Sequence, residues 1–243
     1  WAVVPLVSFF MFLGAPFPGL VPKKQRQTIR HLFLKPYYLF ALGAIFFGGG
    51  SEIVMNQWAS AFMERGLMLP KVTGDILGMC GFAAMIGVGR LLHGLFGKKL
   101  NLNNLLIGSS AMAVICYLTV ALAQINALNI AGCIVCGLAV SLLWPGTLTI
   151  SARRFPLAGA WLFAILAGFG DIGGSAGSWL TGMVMDKATG LPIIQTFSSV
   201  LGVSNEQGAL RFGILVASIF PFASFIFQII LRNKNKSNLD EIR

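Results

Sequence analysis

Six long apolar runs dominate the chain, over about 37–63, 73–94, 102–123, 126–150, 157–185 and 210–231. Each is long enough to cross the ~30 Å hydrocarbon core of a bilayer as a helix. Within lipid every backbone N–H and C=O needs an internal partner, which leaves only helices and closed barrels as spanning structures. The runs are continuous rather than alternating, so the sequence predicts helices and not barrel strands. The chain is expected to be an all-α membrane protein. Its 56% hydrophobic and 11% charged residues, with mean hydropathy +0.79, agree, since soluble chains carry about 25% charged residues. At 243 residues a soluble chain would hold one or two domains, but that scale does not transfer to a bundle of spans.

The connections set boundaries and orientation. Residues 1–20 read as the end of a preceding transmembrane helix. The apolar stretch from Trp1 to Leu13 is too short for a normal span, begins without Met, and runs into Gly14, Pro16, Pro18 and Gly19. It lacks the basic start and small-residue cleavage site of a signal peptide. A preceding part of the protein is therefore expected. Residues 21–36 form a basic connection, and Pro36 suits a first helical turn. Residues 37–231 are a six-helix transmembrane bundle, and 232–243 a polar tail. Thr73-Gly74-Asp75 offers an N-cap, and Trp144-Pro145-Gly146 predicts a kink. A connection of roughly 25 residues precedes the last span.

With 21–36 and the tail placed in the cytoplasm, 14 of the 18 Lys and Arg residues fall on that side. The other four are Arg65, Lys71, Lys187 and Arg211. This bias predicts a multi-pass protein of the cell (inner or plasma) membrane with a cytoplasmic C-terminus. The formal charge of +10 thus serves topology. No basic arm or basic–aromatic strand pattern suggests nucleic acid as a partner.

Charge inside the spans is rare, which singles out the stretch Gly48-Gly49-Gly50-Ser51-Glu52-Ile53-Val54-Met55-Asn56-Gln57-Trp58. Three glycines weaken the helix there. Glu52, Asn56 and Ser60 are spaced to share one helix face. A mid-bilayer acid costs at least ~2.5–3.5 kcal/mol on insertion scales and is a functional-site hypothesis by default. A packing glutamate, held neutral by a neighbouring helix, is the plainer alternative. Asp171 lies about as deep in its own span, ~22 Å from the basic end, so the two acids are expected to share a polar interior. The runs over 102–123 and 210–231 have no ionisable residue between their ends and are expected to pack outside.

Other chemistry is thin. Cys80, Cys116, Cys133 and Cys136 lie in apolar runs. The Cys133–Cys136 CxxC spacing lacks a second pair, a nearby His or a βαβ context, so buried packing thiols are expected. His31 and His93 stand beside basic span ends and read as interfacial. Trp58, Trp144 and Trp179 suit the membrane interface, Trp58 being the best ligand candidate because Asn56 and Gln57 adjoin it. No metal set, nucleophile elbow or phosphate loop supports an enzyme, and no cofactor is implied.

Two glycine-rich motifs complete the reading. One is Gly87-Val88-Gly89-Arg90-Leu91-Leu92-His93-Gly94-Leu95-Phe96-Gly97-Lys98-Lys99. The other runs from Gly168 through Gly170, Asp171, Gly173, Gly174 and Gly177 to Gly182 and Asp186. Alone, the first is a basic span end and the second a close-packing helix face. Together they resemble the C-terminal half of a major facilitator superfamily transporter. The Gly89-Arg90 … Lys98-Lys99 segment resembles that family's loop between its eighth and ninth helices. The Gly170–Asp186 run, approached through Phe155-Pro156 … Gly159-Ala160, is similar to its eleventh helix, and Gly48–Trp58 would lie in the seventh. The chain departs from the loop pattern at His93 and in the place of Gly97.

The resemblance implies a six-helix C-terminal bundle of a major facilitator fold plus part of the preceding helix. It implies a missing N-terminal six-helix half and transport by alternating access. The expected function is a secondary active, proton-coupled transporter of a small polar organic solute, a sugar or organic acid. The sugar and fucose–proton symporter branches are the most similar. Glu52, Asn56, Gln57, Trp58 and Asp171 would form the substrate or proton site. Gly89, Arg90, Lys98 and Lys99 would form the conformational loop motif. An uncoupled facilitator or exchanger of the same fold, and a stand-alone seven-helix sensor, remain the alternatives.

Overall fold

In a computed structural model of the chain, residues 2–15 and 29–240 are described. Trp1, most of the basic connection with Lys23, Lys24 and Arg26, and Arg243 lie outside them. So do the side chains of His31, Lys98 and Lys236. The described chain is all-helical: 87% helix with no strand. Two short helices, α1 (Val3–Leu13) and α2 (Ile29–Phe33), precede the bundle. The bundle comprises α3 (Pro36–Ala61), α4 (Lys71–Gly74), α5 (Gly81–Phe96), α6 (Leu102–Leu122), α7 (Asn126–Val140) and α8 (Leu143–Arg154), then α9 (Ala160–Ala188), α10 (Pro192–Leu201), α11 (Asn205–Ala217) and α12 (Ile219–Asp240).

Merged across small irregularities, these make six helices long and apolar enough to cross a membrane, the architecture of a multi-pass membrane protein. They are Pro36–Gly66, Lys71–Phe96, Leu102–Leu122, Asn126–Arg154, Ala160–Ala188 and Asn205–Lys234. All six coincide with the apolar runs. Pro36 occupies the first turn of α3 as expected.

The α3 helix is the hub, packing on α9, α12, α8 and α7. The three glycines do not break it. They lie buried inside a continuous helix; Gly49 faces the α9 backbone, Gly50 the Phe220 ring of α12 and Gly48 the Leu143 side chain of α8. A methyl on Gly49 would stand 3.0 Å from the Gly170 carbonyl carbon. One on Gly173 would stand 2.6 Å from that of Phe46, and one on Gly177 2.9 Å from the Val54 side chain. Missing Cβ atoms let α3 and α9 approach this closely, as small residues do between membrane helices. Tyr117 of α6 donates a buried hydrogen bond to the Ser51 carbonyl at 2.7 Å. Gln228 of α12 reaches Thr147 of α8 at 2.9 Å.

Several expectations are corrected. The second span starts at Lys71, not at a Thr73-Gly74-Asp75 cap. Asp75 lies in a π-helical stretch, Asp75–Cys80, and its carboxylate is taken by Ser60 Oγ and by Lys71 Nζ at 2.8 Å. The break near Pro145 falls at Ser141 and Leu142, because a proline fits the first turn of the helix that follows. The connection before the last span holds α10, and that span begins at Asn205. A Ser204/Gln207 capping box starts it.

The uncharged spans do not pack outermost. Over the most apolar 18 residues of each span, 44% are buried in Leu102–Leu122 and 39% in Asn205–Lys234, against 61% in Pro36–Gly66, 33% in Ala160–Ala188 and 17% in Lys71–Phe96.

Candidate functional site

The site grows from a defect in the fourth span. In a helix the carbonyl of residue i accepts the N–H of residue i+4, but Pro145 has no N–H. The Ser141 carbonyl is therefore left without that partner. Arg90 of α5 supplies one, its Nε donating to the Ser141 oxygen at 3.3 Å. Gly89 brings the two helices together. It is buried, and a methyl there would collide with the Ser141 side chain. Gly137 does the same one turn away, against the Phe82 backbone.

The other end of the Arg90 guanidinium reaches α3. Its Nη2 donates to Glu52 Oε1 at 3.4 Å, an ion pair between the first two spans. Counted from the α3–α4 hairpin, Glu52 lies 14 residues down one helix and Arg90 19 down the other, or ~21 and ~28 Å. Side chains lean toward the N-terminus of their helix, and this lean closes the gap. Glu52 is mostly covered, its side chain 16% exposed, while Arg90 is 51% exposed. Glu52 Oε2 is buried with no partner. The pair thus combines a sheltered carboxylate, with one oxygen unengaged, and a guanidinium open to an incoming group. A cleft of about 490 Å³ adjoins it, lined by Arg90, His93, Trp144, Pro145 and Leu148 among others. Trp144 connects this wall to α9, lying on Gly170.

The remaining predicted residues are only partly gathered here. Asn56 and Gln57 are exposed on α3 and make no hydrogen bond among the described residues. Ser60, the third member of that helix face, is turned into the Asp75–Lys71 cluster. Trp58 is half-buried, its indole N–H unpartnered, beside a separate cleft of about 430 Å³ that also touches Ser178, Trp179 and Asp186. Asp171 is exposed and has no hydrogen bond or ion pair among the described residues. The two acids are not joined: Glu52 has an arginine, and Asp171 has none. Lys99 is exposed at the α5–α6 turn. Arg90, read from sequence as a span-end cation, is instead the hub of the pair.

Sequence reasoning missed two further groups. Ser141 becomes an acceptor through Pro145, a signal readable as a proline four residues downstream. Arg211, counted as an outside charge at the end of the last span, is buried at 2% exposure. It donates to the Ala123 carbonyl at 2.6 Å and lies 5.6 Å over the Phe62 ring. A cation there complements the C-terminal end of α6.

Among the described residues no group of three His, Cys, Asp or Glu side chains is placed to hold a metal ion. Cys116, Cys133 and Cys136 are buried and free. Comparison with protein-family models, curated proteins and solved structures gives no match to this chain.

Proposed function

We propose that this chain is the C-terminal bundle of a major facilitator-type secondary transporter. It moves a small polar organic solute, a sugar or organic acid, coupled to protons. The observation that carries the reading is the Glu52–Arg90 pair joining two spans beside an open cleft. A carboxyl that gains a proton releases its guanidinium, and a guanidinium that binds solute releases its carboxyl. Either event loosens α3 from α5, so a proton on Glu52 favours solute on Arg90 and the reverse, which couples the two.

Two features support a second bundle as the partner. Asn56, Gln57 and Asp171 are polar, exposed and within membrane-length helices, and exposed polar groups there normally face a bundle interior or an aqueous path. The two least buried spans also leave room for a covering half. On this reading the protein sits in the cell membrane with both the basic connection and the C-terminus cytoplasmic. Asn56, Gln57, Trp58 and Asp171 line the solute path with Glu52, and Gly89, Arg90, Lys98 and Lys99 move with the second span.

The test is Glu52→Gln in the intact protein, reconstituted in vesicles. Proton-driven accumulation is expected to be lost, while solute exchange at equal pH persists. Accumulation at the parent level removes Glu52 from coupling.

A further inference from the structure

The second and third spans diverge from a tight turn. The α5 and α6 helices scarcely touch, yet each packs firmly on α7. Between them lies a wedge of about 440 Å³ whose walls are almost wholly apolar. Leu92 and Phe96 of α5, Leu105 and Met112 of α6, and Leu138 of α7 line it, with His93, Ser109 and Ser141 its polar members. Its α5 edge is exposed: Leu92 is 44% and Phe96 52% accessible.

A second pocket of about 380 Å³ begins where the wedge ends. Leu100, in the α5–α6 turn, lines both. The second pocket is polar. Its walls include Asn101 and Asn103 at the start of α6 and Arg153 and Arg154 at the end of α8. Arg153 is exposed and has no hydrogen bond or ion pair among the described residues. Arg154 has only the face of Tyr37, 5.7 Å away. No acidic residue lines either pocket. A cationic cup therefore stands at the end of an apolar slot, at the arginine-rich end of the bundle.

We propose that the wedge and the arginine cup together bind one anionic glycerophospholipid. An acyl chain lies between α5 and α6, and the phosphate sits against Arg153 and Arg154. The charge complementarity selects an anionic headgroup, because basic pockets between membrane helices hold such groups. The wedge selects a lipid over a free anion, since a soluble phosphate leaves the apolar walls uncovered. The occupied wedge props α5 away from α6. The lipid thereby supports the helix that carries Arg90, His93 lining both the wedge and the Arg90 cleft. This assignment does not depend on transport.

The test uses the full chain in neutral detergent and counts retained lipid by native mass spectrometry. Phosphatidylglycerol and phosphatidylcholine with the same acyl chains are offered at equal concentration, with glycerol phosphate in a separate arm. Phosphatidylglycerol is expected to be retained roughly 30-fold better than phosphatidylcholine, the ratio two near-surface arginines supply. Glycerol phosphate is expected to bind far more weakly. The Arg153→Gln/Arg154→Gln double variant should abolish the headgroup preference, and Met112→Trp, which fills the wedge, should reduce retention of both lipids. Equal retention of the two lipids by the parent chain overturns the proposal. So does glycerol phosphate binding as tightly as phosphatidylglycerol, or a preference that survives in the folded double variant. If the double variant does not fold, the parent chain's lipid and glycerol phosphate arms still decide.

Discussion

Gly173→Ala isolates how much of the bundle rests on helix backbones in contact. An added Cβ at residue 173 would stand 2.6 Å from the Phe46 carbonyl carbon and 2.9 Å from its Cα. Ordinary contact begins at 3.4 Å, so the shortfall is at least about 0.8 Å. Every atom in the way is backbone, and no rotamer change relieves it. Either α9 moves off α3 or the helix bends. Overpacking of this kind costs about 1–3 kcal/mol, here at the upper end, and the helix gains back about 0.5–1 kcal/mol from Gly→Ala. The net loss is about 2 kcal/mol. At about 2–4 °C per kcal/mol for a chain of this size, the melting midpoint falls by about 4–8 °C. Gly168→Ala is the control. It lies on the same helix with nothing within 4 Å of the new methyl, so it keeps only the gain. The assay is thermal unfolding in detergent with a thiol-reactive dye. Cys116, Cys133 and Cys136 are buried and react on unfolding, while exposed Cys80 sets the baseline. A Gly173→Ala midpoint within about 1 °C of the parent, or equal shifts for both variants, refutes backbone contact as the basis of the seam.

Two further outcomes follow from buried polar contacts. Tyr117→Phe removes the hydroxyl that donates to Ser51 at 2.7 Å; the expected cost is about 1 kcal/mol, seen as a 2–4 °C lower midpoint in the same dye assay, and an unchanged midpoint means the bond contributes nothing. Pro145→Ala restores an N–H for the Ser141 carbonyl and competes with Arg90, so Arg90→Gln and Pro145→Ala should be coupled by roughly 0.5–3 kcal/mol in a double-mutant cycle. Strict additivity of the two midpoint shifts would show that Arg90 does not act on the break.

The six spans were legible because lipid leaves the backbone no other choice, so long apolar runs and helices coincide. Their ends were less so. Asn205–Gln207 looks like loop by polarity, yet Ser204 followed three residues later by Gln207 is a readable helix start. The Pro145 break was seen but set too late, since proline disturbs the turn before it. Glu52 was legible as a rare acid. Its partner was not: Arg90 lies 38 residues away at a basic span end, where sequence gives a cation a topological role. Asp171 met the same rarity criterion but has no partner among the described residues, because rarity marks a position and does not say which way a side chain faces. Asp75 and Arg211 were misplaced for a related reason. A charge near a helix end can cap, orient or be buried, and only packing decides which.

The glycine seam between α3 and α9 bears on how genetic data for this protein should be read. Gly49 and Gly173 tolerate no added atom without a helix shifting, and at Gly170 and Gly174 the Trp144 and Ile53 side chains would have to give way. A saturation screen scored on activity will therefore show its deepest depletion along that stripe, which holds no chemistry of its own. Locating the working residues needs a readout of abundance beside activity. Positions that lose activity while the protein stays plentiful are the ones that act.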